Sequence, residues 1–126
     1  MADVLIIDDD IELREALAEA LAMEGFHVAT VGNGREGLDY LQEAIPPHVI
    51  LVDLIMPIMN GWQFCEAKNA DPRLAPIPVV ALSAAAKKDP TSPYFLDVED
   101  VVVKPVMMDE LLSVVRRFVP STLPSR

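Results

Sequence analysis

Short, largely apolar runs that are rich in β-branched residues recur along the chain, and most of them stop at a polar or charged residue. An apolar run of this kind is typical of a strand that is buried on both faces, as in a parallel sheet. The pattern predicts five strands, at residues 4–7, 26–31, 48–52, 77–82 and 101–103.

Helical spacing of the apolar residues predicts a helix after most of these strands. For the first helix, Asp9 and Glu12 are spaced as an N-terminal capping box, and Gly25 marks the end. Asn33 is placed to start the second helix. Further along, helices are expected at about residues 35–44, 62–69 and 108–119.

The segment between the fourth and fifth strands does not fit a regular helix. It contains Pro90 and Pro93, and it has no full stripe of apolar residues at helical spacing. We therefore expect a short or distorted fourth helix in this segment, around residues 94–97.

Alternating strands and helices predict an α/β fold. Each crossover is long enough to return the chain to the same end of the sheet, so the strands pair in parallel and helices cover both faces. Right-handed crossovers leave few arrangements, of which strand order 2-1-3-4-5 is a usual one. The sequence therefore predicts a doubly wound five-stranded parallel sheet.

Length and composition are those of one globular domain. The chain has 126 residues, of which 52% are hydrophobic and 24% are charged, so it can bury a single core. We assign residues 1–119 to the domain and expect residues 120–126 to form a flexible tail. Cys65 is the single cysteine, so it has no internal disulfide partner, and we expect it to be a packing residue.

The chain carries a strong negative charge. Twenty acidic residues against ten basic ones give a formal net charge of −10 at pH 7, which repels the phosphate backbone of nucleic acid. No apolar stretch suits a signal peptide or a membrane span. We expect a protein of the reducing cytosol that neither binds DNA directly nor inserts into a membrane.

Polar residues that follow the strands are the main candidates for chemistry. The first strand is followed by Asp8 and Asp9, and the third by Asp53. Ser83 follows the fourth strand, and Lys104 follows the fifth. Because parallel strands end at the same edge of a sheet, these side chains are expected at one edge, where ligands bind at the change in strand order.

This set of side chains indicates a particular chemistry. Three carboxylates in one place repel one another, so either some of their pKa values rise or a cation lies among them. Oxygen ligands without a nearby His or Cys pair favour a hard divalent ion, and a few carboxylates with water suit Mg²⁺ better than Ca²⁺. A hydroxyl and an ammonium group suit a bound phosphoryl group. Together these groups indicate phosphoryl transfer onto an aspartate.

Four motifs make the chain resemble a response-regulator receiver domain of two-component signalling over essentially its full length. They read LIIDDD at 5–10, VDLIMPIMNG at 52–61, ALSA at 81–84 and VKP at 103–105. Each motif is weak alone, and their order and register make the signal specific. The resemblance implies a flavodoxin-like fold of five βα units.

The resemblance also implies roles for the acidic residues. By this resemblance, Asp53 is the phosphoacceptor and takes a phosphoryl group from a histidine of a sensor kinase or a phosphotransfer protein. The implied Mg²⁺ ligands are Asp8, Asp9, Asp53 and the backbone carbonyl of Ile55.

Ser83 and Lys104 complete the implied site. By the same resemblance, the Ser83 hydroxyl bonds to the phosphoryl group, Lys104 pairs with it, and the Lys104–Pro105 peptide bond is expected to be cis. Such a receiver is a regulatory domain and not an enzyme. Phosphorylation changes its affinity for a downstream protein, and the chain is expected to be a monomer or a homodimer that forms on phosphorylation.

Two features depart from the family pattern. Val101 stands three residues before the lysine, where the family usually has Tyr or Phe with a ring that turns inward on activation. Ile55 and Ala85 occupy positions that modulate hydrolysis in the family, and neither side chain can orient a water molecule. We therefore expect an unusual output step and a long-lived phosphoryl group.

Other functions stay open on the sequence. A degenerate receiver that acts as a phosphorylation-independent interaction module is favoured by Val101 but opposed by the complete acidic, hydroxyl and lysine set. A phosphohydrolase with an aspartate nucleophile needs an acid where Ile55 stands. A flavin carrier of the same fold needs phosphate-binding groups after the first strand, where residues 8–10 are acidic. Residues 8–10 are also consistent with a purely structural role, in which acidic residues stabilise the N-terminus of a helix.

Overall fold

Strands and helices alternate along the part of the chain that the computed structural model describes, residues 2–83 and 98–120. The strands are β1 (Val4–Ile7), β2 (Val28–Val31), β3 (Val49–Asp53), β4 (Val79–Ser83) and β5 (Asp100–Val103). The helices are α1 (Ile11–Met23), α2 (Gly34–Glu43), α3 (Gly61–Asn69) and α4 (Met108–Phe118). The short or distorted helix predicted around residues 94–97, and most of the predicted tail, lie outside the described residues.

The five strands of the described residues run parallel in one sheet of order β2-β1-β3-β4-β5. The predicted fold class and strand order are therefore confirmed. The central strands β1, β3 and β4 are buried along their whole length, whereas the edge strands β2 and β5 are partly exposed. The change in strand order falls between β1 and β3, where the acidic residues were expected.

The sheet separates two hydrophobic layers. In β1, Val4 and Ile6 pack in one layer with residues of α1 and α4. Leu5 and Ile7 pack in the other layer with residues of α2 and α3. Successive side chains of a strand point to opposite faces, so a strand that is covered on both sides needs an unbroken apolar run. Each fully buried Val, Leu or Ile contributes about 1.5–3 kcal/mol.

The second and fourth strands begin later than predicted. Before β2, Gly25 has a φ of 99°, and the amide of Phe26 still donates to a carbonyl of α1. Before β4, the amide of Ile77 donates back to the preceding turn, and Pro78 has no amide hydrogen to donate. These residues end the preceding turns, so the sheet ladders begin only after them.

The start of α1 decides which acidic residues stay outside the helix. The predicted capping box of Asp9 and Glu12 is wrong. The N-cap is Asp10, whose carboxylate accepts the amide of Leu13 at 3.1 Å. Asp10 alone therefore caps the helix, and Asp8 and Asp9 remain beside the carboxyl end of β1.

Several local predictions are confirmed. Asn33 caps α2 and accepts the amide of Glu36 at 2.9 Å. Cys65 is buried, and burial raises the pKa of its thiol to about 11, which agrees with a packing role. Among the described residues, no helix is long and apolar enough to cross a lipid bilayer.

The turn into α3 is held by a capping box and by a close backbone approach. The side chains of Asn60 and Gln63 accept each other's backbone amides at 2.9 and 3.0 Å. A Cβ at Gly61 would lie 2.8 Å from the Asp53 carbonyl oxygen and 2.8 Å from the Cα of Leu54. Glycine is therefore needed where the loop after β3 packs against the end of that strand.

We expect Gly61→Ala to destabilise the protein by about 1–3 kcal/mol, as overpacking of a close contact does, because the contacts are to backbone atoms. Urea unfolding, monitored by circular dichroism, measures the difference in the free energy of unfolding. The control is Glu66→Ala at an exposed position of the same helix, which should change stability by less than about 0.5 kcal/mol. Equal stability of Gly61→Ala and the wild type would show that this contact does not hold the loop.

Candidate functional site

The carboxyl ends of β1 and β3 bring Asp8 and Asp53 together. The two strands are neighbours, and Ile7 lies beside Val52, so the residues that follow them also lie side by side. Both aspartates are buried, Asp8 completely. The predicted placement of these two carboxylates at one edge of the sheet is therefore found in the structure.

Asp9 completes a cluster of three carboxylates. One carboxylate oxygen from each of Asp8, Asp9 and Asp53 lies within 4.8 Å of the other two. Oδ1 of Asp8 accepts the amide of Asp10 at 2.9 Å, which holds that carboxylate in place. Asp9 is exposed, so the cluster is open to solvent on its side.

Lys104 brings an ammonium group to two of these carboxylates. Its Nζ lies 3.4 Å from Oδ2 of Asp8 and 3.4 Å from Oδ1 of Asp53. The lysine side chain is 25% exposed, so water screens these interactions less than it would on an open surface. Lys104 therefore offsets part of the repulsion among the carboxylates.

The β4–β5 ladder holds Ser83 next to Lys104. Ser83 pairs with Val103, and the amide of Lys104 donates to the Ser83 carbonyl at 2.7 Å. Ser83 is buried and follows the β4 residue that pairs with Asp53. The Lys104–Pro105 peptide bond is cis, as predicted. Ser83 and Lys104 therefore lie at the same edge of the sheet as the acidic cluster.

The electrostatics of the cluster disfavour a charged Asp8. Burial raises the pKa of its carboxyl above the ordinary value, and the Asp53 carboxylate acts in the same direction. The hydrogen bond from the Asp10 amide and the Lys104 ammonium lower the pKa without cancelling the rise. More positive charge would stabilise the ionised cluster. Carboxylate oxygens are ligands that Mg²⁺ prefers, so the residues present fit this ion.

The remaining predicted residues lie beside the cluster. The side chain of Ile55 is 71% exposed, and its amide donates to Oδ1 of Asp53 at 3.4 Å. The role of its carbonyl as an ion ligand stays a prediction. Val101 is half-buried in β5 opposite Ala81, and it packs against one hydrophobic layer. Ala85 lies outside the described residues.

Two contacts around the site were missed by the sequence reasoning. Nη1 of Arg14 donates to the backbone carbonyl of Asp8 at 2.9 Å. The amide of Gly34 donates to the carbonyl of Met59 at 3.2 Å, which joins the start of α2 to the loop after β3. For Arg14 a signal was available, because it lies four residues after Asp10 and therefore on the same side of the helix.

Comparison with known proteins identifies the family. The model of the response regulator receiver domain matches residues 4–116, and the chain belongs to this family. It is thus a regulatory domain of two-component systems. The DNA-binding response regulator MtrA of Mycolicibacterium paratuberculosis is 36% identical over 117 residues, which cover 90% of this chain and 49% of MtrA. The chain spans about half the length of the curated relatives it matches.

Solved structures of the same fold agree with this assignment. The chemotaxis protein CheY4 of Vibrio cholerae is 29% identical, with a TM-score of 0.80, over 94% of this chain and 99% of that chain. The response regulator TrrA of Thermotoga maritima, in complex with Mg²⁺-BeF, is 26% identical, with a TM-score of 0.78, over 94% of this chain and 100% of that chain. The predicted CheY-like, flavodoxin-like fold is therefore confirmed.

In the absence of divalent ions, we expect Asp8→Asn to be more stable than the wild type at neutral pH. The folded pKa of Asp8 lies above its unfolded value, so its charge lowers stability at a pH above the folded pKa. This loss disappears as the pH falls toward the unfolded value. Asn retains an oxygen that can accept the Asp10 amide.

Urea unfolding in EDTA at a series of pH values measures this effect. The advantage of Asp8→Asn should shrink as the pH falls through the folded pKa of Asp8. The control is Glu19→Gln, which removes an exposed charge from α1 and should follow the wild type. A wild type that is more stable than Asp8→Asn at neutral pH in EDTA would contradict the prediction.

Proposed function

We propose that this receiver domain is a phosphorylation switch in which Asp53 accepts a phosphoryl group from a histidine of a sensor kinase or a histidine phosphotransfer protein. The observation that carries the proposal is the ion pair between Asp53 and Lys104 beside a cluster of three carboxylates. Transfer of a phosphoryl group to an aspartate requires an acceptor carboxylate, an ammonium group and a cluster that binds a cation.

We assign Mg²⁺ to the acidic cluster. Asp8, Asp9 and Asp53 would hold the ion together with the backbone carbonyl of Ile55. A bound ion would neutralise negative charge on the phosphoryl oxygens. The raised pKa of Asp8 supports this assignment, and so does TrrA, whose structure is described in complex with Mg²⁺-BeF.

In the proposed transfer, a carboxylate oxygen of Asp53 attacks the phosphorus atom of the phosphohistidine. An oxygen–phosphorus bond forms and the nitrogen–phosphorus bond breaks. The imidazole leaves with the electron pair and takes up a proton from water. Lys104 pairs with the phosphoryl oxygens, and the Ser83 hydroxyl donates a hydrogen bond to them. Alignment and charge neutralisation account for most of the rate enhancement in this kind of reaction.

Apolar side chains at the same edge of the sheet suit a protein partner. Four large apolar residues follow the carboxyl ends of β1, β3 and β5, and each is more than half exposed: Ile11, Ile55, Ile58 and Met107. Contiguous exposed apolar patches mark sites of protein–protein contact, so we take these residues as the candidate contact surface. Its position near Asp53 suits the docking of a protein that carries the phosphorylated histidine.

The wider assignment follows from the same proposal. We assign residues 1–119 to the receiver unit and place it in the cytosol, as a monomer or a homodimer that forms on phosphorylation. Its output is altered binding of a downstream protein. The net charge of −10 opposes contact with DNA phosphates, so the DNA binding in the name of MtrA is not extended to this chain.

A phosphorylation-independent interaction module is the second candidate. It is favoured by Val101, which packs against a hydrophobic layer and has no ring that could turn inward as in the family. The cluster of three carboxylates with Lys104 argues for the first candidate, because binding alone has no need of this set. Phosphorylation competence separates the two.

We expect acetyl phosphate with Mg²⁺ to add one phosphoryl group to the wild type, and intact mass spectrometry measures the gain. Asp53→Asn should gain nothing because the acceptor oxygen is replaced by an amide. Lys104→Ala should react more slowly by roughly a hundredfold, as happens when one stabilising group of a transfer site is removed. EDTA should suppress the reaction.

The matched control is Asp39→Asn, which removes a carboxylate from the exposed face of α2 and should react like the wild type. A folded wild type that gains no phosphoryl group, or an Asp53→Asn variant that gains one, would refute Asp53 as the phosphoacceptor. The first of these results would favour the phosphorylation-independent module.

We also expect the phosphoryl group to persist for minutes or longer without a phosphatase. Ile55 stands two residues after Asp53 and offers no group that orients a water molecule. Ile55→Asn should shorten the half-life because an amide can hold a water near the phosphoryl group. Decay of the added mass after removal of acetyl phosphate gives both half-lives, and loss within seconds in the wild type would contradict the expectation.

A further inference from the structure

Arg14 connects α1 to the end of β1 and to the turn before α2. Its Nη1 donates to the backbone carbonyl of Asp8 at 2.9 Å. A Cβ at Gly32 would lie 3.1 Å from this nitrogen and 3.3 Å from Oε1 of Glu36. The same Glu36 oxygen accepts the amide of Gly32 at 2.8 Å. The guanidinium group therefore packs closely against a turn that is itself held by Glu36.

The hydrogen bond from Arg14 constrains the peptide that leads into Asp9. The carbonyl of Asp8 and the amide nitrogen of Asp9 belong to one planar peptide unit. Holding this carbonyl therefore fixes the direction in which Asp9 leaves the strand. Within residues 2–83 and 98–120, no hydrogen bond or ion pair joins the Asp9 carboxylate to another side chain. Its place in the cluster therefore depends on the backbone.

We infer that Arg14 is a positioning residue for divalent-ion binding, because its bond to the Asp8 carbonyl directs the Asp9 carboxylate toward those of Asp8 and Asp53. The inference deepens the proposed function and rests on it, since the ion is the Mg²⁺ assigned to this cluster. Arg14 bonds to the backbone of Asp8, and within the described residues no hydrogen bond or ion pair joins its guanidinium group to any of the three carboxylates.

Measuring the stability of the metal-free protein shows whether Arg14 positions the ion ligands or stabilises the fold in general. Removal of the guanidinium group loses the bond to Asp8. It also removes Nε, which is buried and has no hydrogen-bond partner among the described residues, and a buried unsatisfied donor is unfavourable. These effects oppose each other, so we expect little change in stability and a clear loss of ion affinity.

The test is isothermal titration calorimetry, in which the metal-free protein is titrated with Mg²⁺ alone. Arg14→Met keeps the apolar stem and should weaken the affinity about tenfold, as the loss of a group that orients metal ligands does. Arg14→Lys can still donate to the carbonyl and should recover part of the affinity. The control Arg35→Met, at an exposed position of α2, should bind like the wild type.

Urea unfolding in EDTA accompanies each titration, and Val115→Ala serves as a destabilised variant far from the cluster. Unchanged affinity in Arg14→Met would overturn the inference, and so would an equal loss of affinity in Val115→Ala.

If Arg14→Met does not fold, the affinity of Arg14→Lys decides. An affinity below that of the wild type supports the inference, and an equal affinity overturns it. A wild type that binds no Mg²⁺ would refute the assigned ion itself, which distinguishes failure of the proposed function from failure of this inference.

Discussion

The repulsion among Asp8, Asp9 and Asp53 is the constraint on which the rest of the site depends. Two unit charges about 4 Å apart interact by about 4 kcal/mol near a protein surface, and two of these carboxylates are buried. The central strands hold them together because residues on both faces of the sheet are packed in hydrophobic layers. One ammonium group at Lys104 offsets only part of the charge, so the site favours an added cation.

Much of this arrangement could be predicted from the sequence. The apolar runs identified the five strands of the described residues, and the run is unbroken in the central strands because both of their faces are covered. The first residues of β2 and β4 were not predicted, since the preceding turns extend past the start of the apolar run. Asp8, Asp53, Ser83 and Lys104 could then be placed at one edge, since parallel strands all end there. Their side-chain chemistry supplied the rest of the argument for a cation and a phosphoryl group.

What could not be predicted depends on contacts between residues that are distant in sequence or on small shifts in where an element begins. The choice of Asp10 over Asp9 as the cap of α1 depends on the point at which β1 ends. The contact of Arg14 with Gly32 exists only because β1 and β2 are neighbours. Helical spacing from Asp10 places Arg14 on that side of the helix, but no local pattern in the chain indicates its contact with Gly32 or the choice of Asp10 as the cap.

The position of Lys104 connects the charge state of Asp53 to that of Asp8. Its Nζ lies 3.4 Å from an oxygen of each carboxylate, and it donates a hydrogen bond to that of Asp8. Under the proposed function, a phosphoryl group adds negative charge on the Asp53 side and draws the ammonium toward it. Asp8 is buried and then loses part of its only positive partner among the described side chains. Under the same proposal, a bound divalent ion would then stabilise the Asp8 carboxylate more, so phosphorylation and ion binding would reinforce each other at this edge of the sheet.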